Sequence, residues 1–193
     1  MTDARLKVTI YRAPDGGNVQ CSFDVPAHEN QTVLDVVSWI QQNADPTLSY
    51  RFACRVGMCG SCAMMVNGVP RWTCRTHISK VVDDGRLTIA PLRNLPVIKD
   101  LVVDMDPFWE KYERIRPWLH AEISAIEESH MSEKQRERID QYVNCVLCGL
   151  CTAACPVSGF DGDFTGPAAL SKLYRFAADA REGDRRETLR AED

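Results

Sequence analysis

The sequence predicts an α+β protein, with strands around one helix in its first half and helices alone in its second. Three observations predict it. Short stretches of apolar–polar alternation recur up to Ala90, interrupted by one segment with a helical apolar face. Beyond residue 105 the alternation stops, and capping residues with helical spacing take over. Finally, eight of the nine cysteines in this 193-residue chain form two groups of four, one in each half and differently spaced.

Leu6–Tyr11 and Cys21–Val25 alternate as half-buried strands do, and Asp15, Gly16 and Gly17 supply turn chemistry between them. Thr32 is placed to cap a helix over Val33–Ile40, where Val33, Val36, Val37 and Ile40 share one face. Asn67-Gly68, the strongest short hairpin signal, divides Ala63–Thr73 into two strands. Counting outward from that turn, Val66 faces Val69 and Ser61 faces Cys74. Cys62 and Cys74 therefore arrive at the same end of the hairpin. Pro70 has no ladder N–H, which confines its strand to an edge or a bulge. Arg86–Ala90 reads as a further strand. Mixed strands around one helix, with a cysteine loop on the rim, suggest a β-grasp, ferredoxin-like domain up to Ala90, and Pro91–Met105 reads as a connector.

Asp106-Pro107 then opens a helix with a cap and an N1 proline, running to about Arg116. Glu122–Arg138 reads as an exposed helical region. Ser132 and Gln135 form a capping box ahead of a helix that reaches about Tyr142. Pro167 begins another helix, with Leu170, Leu173, Tyr174 and Ala177 along one face. Most residues from Asp179 to Asp193 are charged, so no docking element is expected there. Two domains follow, 1–105 with the connector included and 106–193.

Composition removes several classes of function. Hydrophobic residues at 45% and charged residues at 26% are ordinary for a globular protein. A net charge of -4 argues against a nucleic-acid partner, since phosphate binding needs clustered basic surface. The N-terminus has no apolar signal segment, and its early Asp3 is poor for a transit peptide. No stretch approaches the roughly 20 apolar residues of a membrane span, so any membrane role is expected to come through partners. Nine cysteines without a secretory signal read as metal ligands, not disulfides.

Cys54, Cys59, Cys62 and Cys74 stand as C-x4-C-x2-C-x11-C, the plant-type spacing for a 2Fe–2S cluster. Cys145, Cys148, Cys151 and Cys155 run C-x2-C-x2-C-x3-C-P, the bacterial spacing whose last Cys ligates a different cluster. Together they point to electrons moved singly. A structural zinc site is the competing reading, but zinc motifs pair two short units, and Cys74 has no close second cysteine. Gly57 and Gly60 suit a loop wrapped tightly around a cluster. Amide N–H groups aimed at the sulfurs would raise its potential above roughly -400 mV. Arg51, Arg55, Arg71 and Arg75 either add positive potential there or are simply solvated. Cys21 reads as a small strand residue, and His28, His77, His120 and His130 are scattered without metal spacing. No nucleotide-phosphate or Ser/His/Asp motif is evident, so no catalytic residue is assigned.

These residues resemble the iron–sulfur subunit of the succinate dehydrogenase/fumarate reductase family. The similarity runs through Leu48–Gly68, Asp100–Met105, Cys145–Pro156 and Gly166–Leu170. It implies a β-grasp domain holding a 2Fe–2S cluster beside an FAD-containing flavoprotein subunit. It also implies an all-α ferredoxin-like domain holding 4Fe–4S and 3Fe–4S clusters toward a quinone in membrane anchor subunits. By that resemblance Cys145, Cys148 and Cys151 belong to the 4Fe–4S cluster, and Cys155 to the 3Fe–4S cluster or, in a variant, to the same cube. Pro156 would lie near the quinone, and the complex would sit at the cytoplasmic face of a bacterial inner membrane. The family carries a third cysteine group that supplies the remaining ligands. None stands before Asp193, so the helical domain is expected to be incomplete. Gly159-Phe160 looks more like the fumarate reductase branch than the Trp pair of dehydrogenases. Two other classes remain open: a free-standing soluble electron carrier and a structural zinc module.

Overall fold

The computed structural model describes residues 4–13, 19–120, 128 and 130–191. Asp15, Gly16 and Gly17, and most of 121–129, lie outside the described residues. The chain forms two compact units. One runs to Met105 and takes in Cys148–Ala154; the other holds Asp106–Leu147 and the chain from Cys155 on.

The first unit is built on a five-stranded sheet in the order β2-β1-β5-β3-β4. Its strands are β1 (Arg5–Arg12), β2 (Val19–Pro26), β3 (Ala63–Val66), β4 (Val69–Trp72) and β5 (Arg86–Ala90). The central pair, β1 and β5, is parallel, and every other neighbour is antiparallel. A parallel pair needs a long crossover, and the chain between them carries helix α1 (Val33–Asn43). Thr32 caps that helix as its sequence requires, its hydroxyl accepting from the Asp35 N–H while Asp35 accepts from the Thr32 N–H. Val33, Val36, Val37 and Ile40 of α1 then pack with Val8, Ile10, Leu87 and Ile89 of the sheet in one fully buried core.

The hairpin forms in the expected register, Val66 opposite Val69 and Ala63 opposite Trp72. Asn67 and Gly68 both take positive φ, 48° and 77°, as a two-residue turn of this hand demands. Pro70 sits on β4, an edge strand, where its missing N–H leaves no ladder position empty.

Residues 91–105 are more than a connector. They contain a second small sheet, β6 (Val97–Lys99) against β7 (Val102–Val103). It escapes a periodicity search because β6 is exposed on both faces and the turn is made by Asp100 at φ 50°, where neither Gly nor Asn stands.

The second unit is helical. It holds α2 (Asp106–Arg114), α3 (Glu133–Val143), α5 (Val157–Phe160), α6 (Pro167–Ala177) and α7 (Arg186–Ala191). The short α4 (Leu150–Ala154) belongs to the first unit. Helix α2 stops before Arg116, which adopts φ 48° and precedes Pro117, a position where α geometry is disfavoured. Ser132 and Gln135 make the capping box of α3. The buried face of α6 differs from the expected one: Leu170, Tyr174 and Ala177 are exposed. Leu173 is buried as expected, and with Ala169 and Phe176 it packs on Ile115 and Tyr112. Hydrophobic spacing fits both stripes, and contact with α2 selects this one.

The charged end also departs from expectation. Arg185 is buried and donates to the carbonyls of Ile115, Arg116 and Trp118, while buried Asp179 is held by Arg175 and Arg181. Buried charged side chains thus tie this segment down where its composition led to no docking element being expected. Among the described residues, no helix is long and apolar enough to cross a membrane.

Candidate metal centre

Cys54, Cys59, Cys62 and Cys74 are delivered by two pieces of chain, the irregular loop before β3 and the turn after β4. In the loop Arg55, Gly57 and Gly60 take φ of 59°, 77° and 72°. Alternating hands of this kind turn successive N–H groups inward as an anion-binding nest. The backbone N–H groups of Val56, Met58 and Cys59 donate to the Cys54 sulfur at 3.4, 3.2 and 3.3 Å. The Cys54 N–H in turn points at Cys59 Sγ at 3.5 Å.

Cys62 and Cys74 close the other side, 3% and 6% exposed, packed with Leu34 of α1 and flanked by Tyr50 and Trp72. Thr73 fixes this end of the hairpin: its N–H and its hydroxyl both donate to the Cys62 carbonyl, at 3.2 and 2.8 Å. The Thr76 carbonyl then accepts the Val33 N–H, tying the turn to the start of α1.

The thiols are electrostatically unequal. Backbone N–H donation from Val56, Cys59 and Met58 lowers the Cys54 pKa. The Cys54 N–H, with Ser61 beside it, pushes Cys59 down to about 6. Burial, and then the Cys62 thiol, push Cys74 up to about 11, opposed by the Gly57 N–H. The loop therefore favours thiolate at half-buried Cys54 and Cys59, while burial opposes the charge of Cys74.

This donor set fits an iron–sulfur dimer better than a lone ion. Among the described residues, no three Cys, His, Asp or Glu side chains converge on one metal point. Cys54 stands with Cys59, and Cys62 with Cys74. Two pairs suit two irons; four-fold convergence would suit tetrahedral zinc. The amides aimed at the Cys54 sulfur supply the hydrogen bonds by which a protein tunes the potential of an iron–sulfur cluster.

The second group falls across both units. Cys148 and Cys151 belong to the first, Cys145 and Cys155 to the second. Cys151 lies exposed on α4, which opens after Leu147 and Gly149 at positive φ. Cys155 is held below its usual pKa by the Ser158 hydroxyl and the nearby N–H groups. Pro156 precedes α5, whose Phe160 is 93% exposed.

Of the arginines, Arg55 lies over the Phe52 ring at 4.7 Å and within 3.8 Å of Asp35, and Arg51 donates to the Val103 carbonyl. The Arg75 stem crosses Gly57. Cys21 is half-buried on β2, opposite Ile10. The histidines do not gather: His77 bridges to Thr32, while His120 faces Glu182. Sequence reasoning missed Thr73 and Trp72, whose only signal is their place beside Cys74.

Residues 5–110 match the model of a 2Fe–2S iron–sulfur cluster binding domain. The chain is 36% identical over 192 residues to the fumarate reductase iron–sulfur subunit of Escherichia coli O157:H7, covering 98% of this chain and 78% of that one. The corresponding subunit of Mycobacterium tuberculosis is 38% identical over 178 residues, 89% of this chain and 72% of that one. The mitochondrial succinate dehydrogenase [ubiquinone] iron–sulfur subunit of Dictyostelium discoideum is 35% identical over 165 residues, covering 81% of this chain and 58% of that one. Among solved structures, a chain of the apo Mycobacterium smegmatis Sdh1 complex superposes with a TM-score of 0.86 at 29% identity. That match covers 99% of this chain and 82% of that one.

Proposed function

Because this chain belongs to the family of fumarate reductase and succinate dehydrogenase iron–sulfur subunits, we propose that it is the electron-transfer subunit of such an oxidoreductase, passing single electrons between an FAD-bearing flavoprotein subunit and a quinone held by membrane anchor subunits. The observation that carries this is the two thiol pairs with three backbone amides aimed at one of their sulfurs. A free-standing carrier is not favoured, since relatives aligned with nearly the whole chain are named as subunits.

In this reading 1–105 is a β-grasp domain, with Cys54 and Cys59 on one iron and Cys62 and Cys74 on the other. Residues 106–193 form an α-helical ferredoxin-like domain. By resemblance to the family, Cys145, Cys148 and Cys151 would hold a 4Fe–4S cluster, and Cys155 a 3Fe–4S cluster or, in a variant, the same cube; the C-x2-C-x2-C-x3-C-P spacing supports a separate role for the last cysteine. Pro156 lies toward the quinone, and the subunit is peripheral, at the cytoplasmic face of a bacterial inner membrane. Bound clusters supply one-electron acceptors and donors in series. The chain's own contribution is electrostatic and steric. Amides of Val56, Met58 and Cys59 favour the more negative, reduced state, Leu34 and Trp72 limit water at Cys62 and Cys74, and Gly57 lets backbone approach closely.

The test is to purify the native complex anaerobically and measure its iron, its flavin and the paramagnetic signal after reduction. Co-purifying flavoprotein with a 2Fe–2S signal supports the reading; an iron-free chain without a flavoprotein partner overturns it.

A further inference from the structure

The small β6–β7 sheet contains, among the described residues, the most thoroughly buried charged side chain of the first unit. The Asp100 side chain is 0% exposed, on a residue held at φ 50°. Its carboxylate receives a two-point fork from Arg12, Nε at 3.0 Å and Nη2 at 2.9 Å, at the end of β1. The same carboxylate accepts the backbone N–H of Ser49 at 2.9 Å. Arg12 reaches Asp45 and Thr47 as well, so one guanidinium spans the whole approach to Ser49.

Ser49 is where the chain enters the cluster loop. From there it runs beside the 100–103 segment: the Leu101 N–H donates to the Ser49 carbonyl at 3.2 Å, and Arg51 Nη1 donates to the Val103 carbonyl at 3.0 Å. Cys54 follows three residues after Arg51. A buried ion pair adds little net stability against an apolar replacement, yet it defines geometry sharply and is costly to break from one side. The backbone is anchored at Ser49 and the Arg51 side chain ties the next turn of chain to Val103, while Phe52 stacks on Tyr50 at 5.4 Å, so the chain reaches the sulfur that collects three amides from a held entry.

We propose that Asp100, through Arg12 and the Ser49 N–H, is a positioning residue for the 2Fe–2S centre, fixing the entry of the loop so that the amides of Val56, Met58 and Cys59 stay on the Cys54 sulfur. This rests on Cys54 being a cluster ligand, as proposed above. Releasing the entry lets those amides drift, and loss of N–H donation to sulfur lowers the reduction potential.

The test is a redox titration of the 2Fe–2S paramagnetic signal in the native complex, with three variants. Asp100→Asn keeps the shape and removes the charge; it is expected to lower the reduced-to-oxidised ratio at least threefold at the wild-type midpoint, about 28 mV at 59 mV per tenfold. Arg12→Lys keeps the charge and loses the fork, so its shift has the same sign and is smaller. Where Asp100→Asn fails to load a cluster, Arg12→Lys decides the question. Asn67→Ala removes bonds to Thr88 and Val81 at the far end of the hairpin and serves as the control. It destabilises the same unit and is expected to leave the midpoint unchanged. An unshifted midpoint in both Asp100→Asn and Arg12→Lys overturns the proposal, as does an equal shift in Asn67→Ala. A wild-type complex without the 2Fe–2S signal overturns the cluster reading itself.

Discussion

Gly57 lies directly beneath the side-chain stem of Arg75: a Cβ at Gly57 would stand 2.8 Å from Arg75 Cγ and 3.2 Å from Cδ. The loop that carries Cys54 and Cys59 is thus packed against the turn that carries Cys74. Two constraints meet at Gly57, since its φ of 77° is also one that L side chains rarely adopt.

The two constraints separate experimentally. Gly57→Ala is expected to lose about 1–3 kcal/mol from the positive φ, with more from the clash. Iron content should fall with it. Adding Arg75→Ala removes the obstructing stem, so the double variant should recover part of the loss. The backbone part should remain. Thermal unfolding with iron analysis of both variants checks this.

Thr73→Val removes the hydroxyl that donates to the Cys62 carbonyl but keeps the shape of a fully buried side chain. The carbonyl keeps the Thr73 N–H, so the loss should be about 1 kcal/mol. A denaturant titration should show a lower midpoint with an unchanged slope.

Asp179 gives the second unit a pH dependence of known sign. Its pKa is lowered by the Arg181 side-chain bonds and then, against burial, by the Arg181 N–H and the charges of Arg181 and Arg175. A carboxylate with a depressed folded pKa contributes stability above its unfolded value of about 3.9, and that contribution fades as pH falls through the folded value. Asp179→Asn should cost about 2 kcal/mol at neutral pH. Its deficit against wild type should shrink below about pH 4. Unfolding curves at pH 7 and pH 3 measure the difference.

Arg185→Met should destabilise the helical unit by about 2–4 kcal/mol, because three carbonyls lose their charged donor together. An exposed arginine in a solvated tail would show almost nothing. Chemical denaturation of the variant distinguishes the two.

Much of the first unit was legible because its signals are local and agree with each other. Asn67-Gly68 sets a register, Thr32 sets a helix start, and Cys62 and Cys74 follow by counting. The β6–β7 sheet was not legible, since its turn residue Asp100 is recruited by Arg12, far away in sequence. The buried stripe of α6 was misread for a related reason. Leu173 fits a stripe with Leu170 and Ala177 or one with Ala169 and Phe176, and only Ile115 and Tyr112 decide between them. The spacing of Cys54, Cys59, Cys62 and Cys74 identified the candidate ligands. It held no sign of Gly57 beneath Arg75, nor of Thr73 gripping the Cys62 carbonyl.

The most direct single measurement is electron paramagnetic resonance of the anaerobically reduced native complex, beside the same preparation carrying Cys74→Ser. The expected result is a 2Fe–2S signal in the wild type that the serine variant loses while signals from other clusters persist. A wild-type preparation that binds zinc, or that stays silent in the 2Fe–2S region after full reduction, would contradict two irons held by two pairs of thiolates.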